Sequence, residues 1–115
     1  MRLDDIVKIL DARFFCGEEK SALQITSACA GDLMSDLLAY SHAHALLLTG
    51  MANPQVIRTA EVLDLAAIVF INGKEPGSEM IQLAETKAIP LMTTRLPLFI
   101  SCGLLYTEGL KEMKE

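Results

Sequence analysis

The sequence predicts an α/β domain whose mostly parallel sheet is flanked by helices. From residue 45 onward, short apolar segments typical of buried strands alternate with longer segments of helical periodicity, in the order β-α-β-α-β-α. The connections between these segments are short, and this alternation favours right-handed crossovers and parallel strands. Because the sequence shows no linker, low-complexity tract or repeat, we expect a single domain over residues 1–115.

The first third of the chain predicts four elements that extend or flank the sheet. Apolar residues at helical spacing predict a helix over residues 3–12, and extended segments are expected at 13–17 and 23–28. A second helix is expected to begin after Gly31, with Asp32 as its N-cap. The apolar face of this helix consists of Leu33, Met34, Leu37 and Leu38.

The segment 45–73 predicts a strand–turn–helix–strand unit. Residues 45–49 form a short, largely apolar run, which predicts a buried strand. Asn53 followed by Pro54 predicts a helix N-terminus, because proline suits the first helical position. A second buried strand is expected over residues 66–71.

The last part of the chain predicts a helix, a short strand and a final helix. Ser78 is the expected N-cap of the first of these helices, and the strand is expected over residues 89–92. The final helix is expected to begin at Pro97 and to end at Gly109. This helix is apolar on more than one side, which favours burial against a second chain. Its apolar residues include Leu98, Phe99, Ile100, Leu104, Leu105 and Tyr106.

Composition and charge exclude several functional classes. The 115 residues are 51% hydrophobic and 22% charged, which is ordinary for a globular domain and excludes disorder. The net charge is −5 and the basic residues are scattered, whereas a nucleic-acid partner needs a concentrated basic face. The longest apolar run, residues 65–71, is far shorter than the roughly 18 residues that a membrane span needs.

The N-terminus and the cysteines indicate the compartment. Acidic and basic residues near the N-terminus leave no apolar signal core. The three cysteines form no CxxC pair, which indicates buried thiols in a reducing environment. We therefore expect a cytoplasmic protein with neither a membrane nor a nucleic-acid partner.

Polar residues and glycines follow the strands of the predicted parallel sheet. The carboxyl ends of parallel strands meet at one edge, where loops and helix N-termini surround ligands. A small anion or a nucleotide could bind there, because the loops offer glycines, free N–H groups, hydroxyl and amide side chains and a cation. The alternative is that these residues only end strands and cap helices. The candidate ligand-binding residues are Thr49, Gly50, Asn53, Asn72, Gly73, Lys74, Thr93 and Thr94.

The chain contains no complete catalytic motif. Both GxxxxGK[ST] and GxGxxG are absent, and a phosphoacceptor domain would need an aspartate where the chain has Thr49 and Gly50. No cysteine is paired with a histidine in the sequence, as a thiol nucleophile requires. We therefore predict no catalytic residue. A small phosphotransfer enzyme is the alternative, with Lys74, Glu75 and Arg95 as its charged groups.

His42 and His44 lie two residues apart before a predicted strand. On an extended segment this spacing places both rings on one side, which is compatible with a two-histidine metal site. The candidate third ligands are Asp32 and Asp36 on the preceding helix. Plain loop histidines are the simpler interpretation, and we predict no metal and no cofactor.

Three segments of the chain resemble the DRTGG domain family. They are Ile25–Asp36 (ITSACAGDLMSD), Leu46–Glu61 (LLLTGMANPQVIRTAE) and Ala67–Gly73 (AIVFING). The resemblance runs through nearly the whole chain and extends to Ile89–Thr94, a comparable strand before the last helix. The family is similar in fold to the N-terminal domain of HPr kinase/phosphorylase, which lacks that enzyme's P-loop core.

The motif that gives the family its name is altered in this chain. Its Asp-Arg pair falls at about Ala52 and Asn53, and its Thr-Gly-Gly falls at Ile71, Asn72 and Gly73. Only the last glycine is kept.

The resemblance implies a regulatory role. Such domains occur in phosphotransacetylases and in CBS-containing pyrophosphatases, where they help to build the dimer, and stand-alone copies are associated with anaerobic metabolism. We therefore expect a non-catalytic, homodimeric module that senses a nucleotide or an acyl-phosphate-like metabolite. A structural adaptor without a ligand is the alternative.

Overall fold

Five strands form one sheet in the computed structural model, which describes residues 1–111. The strands are β1 (Arg13–Cys16), β2 (Ala28–Ala30), β3 (Leu46–Thr49), β4 (Ala67–Phe70) and β5 (Leu91–Thr93). Their spatial order is β1-β5-β4-β3-β2, with β2 to β5 parallel and β1 antiparallel to β5. The prediction of an α/β fold with a mostly parallel sheet is confirmed.

Five α-helices cover the two faces of the sheet. They are α1 (Leu3–Leu10), α2 (Met34–Tyr40), α3 (Pro54–Val62), α4 (Ser78–Thr86) and α5 (Leu98–Thr107). One core cluster joins the sheet to α1 and α5, and the other joins it to α2, α3 and α4. The predicted order β-α-β-α-β-α from residue 45 is therefore also confirmed. Within residues 1–111, no helix is both long enough and apolar enough to cross a membrane.

The central strands are buried on both faces because a helix layer covers each side. Successive side chains of a strand point to opposite faces. Leu46 and Leu48 therefore pack toward α1 and α5, whereas Leu47 packs toward α3 and α4. All residues of β3 and β4 are buried, which explains why their sequences are continuously apolar rather than alternating.

The strand predicted over residues 23–28 is wrong in most of its length. Only residues 28–30 pair with β3, and the preceding segment bonds instead to the N-terminus. Leu23 accepts a hydrogen bond from the Leu3 N–H at 2.9 Å, and Ile25 donates to the Met1 carbonyl at 2.6 Å. The apolar pattern of this segment correctly indicated burial, since Ile25 is fully buried. The backbone of Ile25, however, bonds to Met1 and not to a strand of the sheet.

Two predicted helix caps are also wrong. Leu33, not Asp32, is the N-cap residue of α2, because the Asp32 carboxylate binds the loop after β3 instead. Gly77, not Ser78, precedes α4, and Ser78 is the first helical residue. By contrast, the predicted cap at Asn53 is confirmed, since its side chain accepts a hydrogen bond from the Val56 N–H at 3.3 Å.

The third predicted strand of the parallel series is displaced toward the C-terminus. It was expected over residues 89–92, and β5 begins only at Leu91. Pro90 has no N–H to donate to a ladder, although its carbonyl accepts a hydrogen bond from the Ile68 N–H at 3.0 Å. The final helix was expected from Pro97 to Gly109 and spans Leu98–Thr107, with Pro97 as its N-cap. Gly109, the predicted stop, follows in the left-handed region at φ 111°.

Candidate functional site

The carboxyl ends of β2, β3, β4 and β5 lie at one edge of the sheet. The antiparallel strand β1 begins at the same edge, where Arg13 pairs with Thr93. All eight candidate residues lie in or next to the three loops that follow β3, β4 and β5. The structure joins Thr49, Gly50, Lys74 and Thr93 through hydrogen bonds and places the other four beside them in different roles.

Asp32, which follows β2, holds the start of the loop after β3. Its Oδ1 accepts hydrogen bonds from the Gly50 N–H at 2.7 Å and from the Thr49 hydroxyl at 3.2 Å. The Thr49 oxygen in turn accepts a bond from the Met51 N–H at 3.1 Å. Bonds from N–H groups to a carboxylate are stronger than neutral ones, so this carboxylate fixes the loop conformation.

Sequence reasoning missed Asp32 as a residue of this edge. Its position after Gly31 indicated a helix cap, because the preceding strand was expected at 23–28 instead of at 28–30. With β2 placed at 28–30, Asp32 follows the carboxyl end of a parallel strand, where ligand-binding residues are expected. The small residues at 28–30 were the available signal, since they match a short edge strand.

Lys74 connects the loops after β3 and β4. Its Nζ donates a hydrogen bond to the Gly50 carbonyl at 2.9 Å. The Lys74 carbonyl accepts a bond from the Thr93 hydroxyl at 2.6 Å, which connects this loop to β5. A lysine ammonium carries three N–H donors, and Lys74 lies at the exposed surface, so donors remain for a ligand.

Asn72 and Gly73 form a left-handed turn after β4. Their φ angles are 59° and 70°, a region that glycine and asparagine adopt at the lowest cost. The Asn72 N–H donates to the Leu96 carbonyl at 2.9 Å, and the Gly73 N–H donates to the Thr94 carbonyl at 2.8 Å. Both residues are exposed.

The start of α3 offers backbone donors at the same edge. The N–H groups of Ala52 and Asn53 have no hydrogen-bond acceptor within residues 1–111, and both residues are exposed. They lie at the positive end of the α3 dipole, where anions bind favourably. The ammonium of Lys74, which bonds to the Gly50 carbonyl two residues before Ala52, also attracts anions.

Thr94 anchors α1 to the sheet edge. Its hydroxyl donates to the Leu10 carbonyl at 2.6 Å and accepts from the Leu96 N–H at 3.2 Å. The residue is only 1% exposed, so its hydroxyl is directed into the protein. This contact satisfies a carbonyl in the last turn of α1, where intrahelical partners are lacking.

Replacing Thr94 by valine is expected to lower the free energy of unfolding by about 1–3 kcal/mol. The shapes of the two side chains are similar, but Thr94→Val leaves the Leu10 carbonyl and the Leu96 N–H without their partner. Urea denaturation measures the loss. Thr86→Val is the matched control, because the Thr86 hydroxyl is exposed and bonds only within its own helix. Equal losses in the two variants would contradict the anchoring role.

Two arginines line an open cleft beside β5. The cleft has a volume of about 420 Å³ and is lined by Asp11, Ala12, Arg13, Thr93 and Arg95. The Arg13 guanidinium is held by Glu75 at 2.6 Å, while Arg95 is exposed. Because Asp11 also lines the cleft and Glu75 neutralises Arg13, Arg95 is the cation without an ion pair there among residues 1–111.

The other reactive side chains lie apart from this edge. His44 precedes β3, and its Nδ1 lies 3.6 Å from the Asp64 carboxylate at the exposed amino edge of the sheet. No three His, Cys, Asp or Glu side chains are grouped to hold a metal in the part of the chain that the structure describes. Burial raises the pKa of the Cys16 and Cys102 thiols, so both stay in the protonated, weakly nucleophilic form at neutral pH.

The fold and this edge define an α/β domain with a polar, glycine-containing loop cluster at the carboxyl end of its sheet. The chain is similar to the solved structure of the CBS and DRTGG domains of the regulatory region of a Clostridium perfringens pyrophosphatase, complexed with its activator, diadenosine tetraphosphate. The TM-score is 0.75 at 20% sequence identity. The chain has a DRTGG-like fold, as the sequence resemblance predicted.

The match covers 90% of this chain and 45% of the pyrophosphatase structure, so the chain spans less than half of that region. No protein-family model matches the sequence, and no curated protein matches it.

Proposed function

We propose that this chain is a non-catalytic regulatory module that binds a small anionic metabolite at the carboxyl edge of its sheet and pairs with a second copy. One observation carries the proposal. The loops after β3 and β4 are joined at Gly50, between the Asp32 carboxylate and the Lys74 ammonium, next to the free N–H groups that precede α3. The structural similarity to a regulatory region that binds a nucleotide activator also supports the proposal of an anion-binding regulatory module.

The electrostatics of the edge favour an anion. Lys74 and the α3 N-terminus both present positive charge, and Arg95 lies in the cleft beyond Thr93, where Arg13 is paired with Glu75. The negative charge of Asp32 is partly offset by the two hydrogen bonds that it accepts. Phosphate or acyl-phosphate oxygens are ligands that accept from backbone N–H groups and from an ammonium together.

The arrangement supports binding more than catalysis. The charged side chains nearest to Gly50 are engaged with the backbone, Asp32 with an N–H group and Lys74 with a carbonyl. A general base has to reach a proton on the substrate, and a nucleophile needs an adjacent base. Asp32 and Lys74 hold the loop after β3 in one conformation. A ligand bound beside them would stabilise that loop, which is a regulatory effect and not a catalytic one.

A thermal-shift experiment with nucleotides, dinucleoside polyphosphates and acyl phosphates tests the site. A ligand at 100 times its dissociation constant adds about 2.7 kcal/mol to the stability of the folded form. For a domain of this size we expect Tm to rise by about 10 °C. Lys74→Ala is expected to remove most of this rise, because it deletes the side-chain cation that bonds to the Gly50 carbonyl in the loop before α3.

Lys8→Ala is the matched control, since Lys8 is an exposed lysine on α1. The Tm of each variant without ligand is the reference for its own shift. If no compound changes the Tm of the wild type, or if Lys74→Ala and Lys8→Ala respond alike, the proposed site is wrong.

A structural adaptor without a ligand is the second candidate. It is favoured by the fact that Asp32, Thr49 and Lys74 already satisfy the backbone groups around Gly50. A protein that pairs with itself, yet whose Tm no anion changes, would support the adaptor.

A further inference from the structure

Helix α5 is apolar around its whole circumference, although only one side of it is buried. None of its ten residues is charged. Ser101 and Leu105 are buried against the sheet and Cys102 is half-buried. The opposite side leaves large apolar residues in solvent, with Phe99 85% exposed and Tyr106 60% exposed. A helix that is apolar on all sides is normally buried on all sides.

The exposed residues of α5 form one continuous face. At about 100° per residue, positions 99, 100, 103, 104, 106 and 107 fall on one side of the helix. Ile100 and Leu104 are 43% and 39% exposed. Gly103 lies among them, and a Cβ built on it meets nothing within 4 Å. The centre of this α5 face is therefore flat enough for close approach of another helix.

The area of the α5 face fits a contact between two copies. Aromatic side chains have areas of about 150–250 Å², so Phe99 and Tyr106 alone expose roughly 300 Å². With Ile100 and Leu104 the face reaches roughly 450 Å², or roughly 900 Å² over two copies. That is more than half of the roughly 1,600 Å² of a standard interface before any surrounding residue is counted.

We propose that the α5 face is the two-fold interface of a homodimer of this chain. The inference rests on the pairing of two copies in the proposed function and assigns that pairing to one surface. In a two-fold contact the same patch meets itself, so a charge near the axis meets the same charge. The chain has a net charge of −5, yet no residue of the α5 face is charged, which suits contact with a second copy. The Lys111 ammonium lies 3.8 Å from the Tyr106 ring centroid, at the C-terminal end of this face.

The oligomeric state of the whole chain tests the inference. The monomer mass is 12.6 kDa, so light scattering and sedimentation are expected to give about 25 kDa, twice that value, for the wild type. Phe99→Glu and Ile100→Glu each place two carboxylates in the apolar contact of the dimer. Each is expected to raise the dissociation constant at least about 100-fold, as for a central interface residue.

Leu38→Glu on α2 is the control. Leu38 is 59% exposed and lies with Leu33 and Tyr40 on a second exposed apolar surface, which α2 forms on the other face of the sheet from α5. This variant is therefore expected to remain dimeric. Circular dichroism verifies that each variant is folded, and if one α5 variant is unfolded the other decides. A monomeric wild type, dimeric α5 variants or a monomeric Leu38→Glu would each overturn the inference.

These outcomes are separate from those of the ligand experiment. A dimer that dissociates only in the α5 variants supports the interface even if no anion raises the Tm. A dimer that dissociates only in Leu38→Glu refutes the α5 interface and leaves the proposed anion site intact.

Discussion

Gly17→Ala is expected to lower the free energy of unfolding by about 3 kcal/mol or more. Gly17 follows β1 with φ +83°, a conformation in which a residue with a Cβ is strained by about 1–3 kcal/mol. A Cβ at this position would also lie 2.5 Å from the Pro90 Cα and 2.6 Å from the Pro90 Cβ. Because the nearest atom belongs to the backbone, the chain before β5 would have to move.

Urea denaturation at a fixed protein concentration measures this loss. Gly31→Ala is the matched control, because a Cβ there meets only the Leu37 side chain, at an ordinary 3.9 Å, and φ lies outside the left-handed region. We expect the control to change stability by less than about 1 kcal/mol. If the two alanine variants are equally stable, the tight crossing of Gly17 over Pro90 is wrong.

Phe70→Ala is expected to lower the free energy of unfolding by about 3–5 kcal/mol. Phe70 is fully buried in β4, between β3 and β5, and packs in the core cluster with α3 and α4. Removing the ring loses its transfer free energy and leaves a cavity that the surrounding strands fill only in part. Domains of this size are stable by roughly 5–15 kcal/mol, so this variant would have little stability left.

Val62→Ala is the control for Phe70→Ala. Val62 is 76% exposed at the end of α3, and its truncation is expected to change stability by less than about 0.5 kcal/mol. A loss below about 1.5 kcal/mol in Phe70→Ala would mean that the site collapses around the missing ring or that the ring is not buried. The midpoint and slope of the denaturation curve distinguish a change in stability from a change in cooperativity.

The unit from β3 to β4 could be predicted closely from the sequence. The strands at 46–49 and 67–70 lie within the predicted runs, and Asn53 caps the helix that Pro54 begins. These signals are local, since the cap spans three residues and a buried strand is four residues long. The antiparallel pairing of β1 with β5 could not be predicted in the same way, because it joins residues far apart in the chain.

The predicted topology was enough to locate the candidate edge, but it did not predict the roles of the residues there. The strand-end rule brought the loops with Gly50 and Lys74 together correctly. It did not indicate that Thr94 turns inward to Leu10, or that Asp32 supplies the carboxylate for Gly50. These assignments depend on side-chain direction and on the true start of β2, and neither has a local signal.

The sequence by itself determined the α/β class, the buried strands and the edge where polar loops converge. These features could be predicted because their signals are local: the period of apolar residues, prolines and capping residues depend on neighbours within one turn or one strand. Only the tertiary structure decided which atoms meet across that edge and which side of α5 stays open. The contacts of Asp32 with Gly50 and of Gly50 with Lys74 join residues 18 and 24 positions apart, and chain packing alone sets such distances.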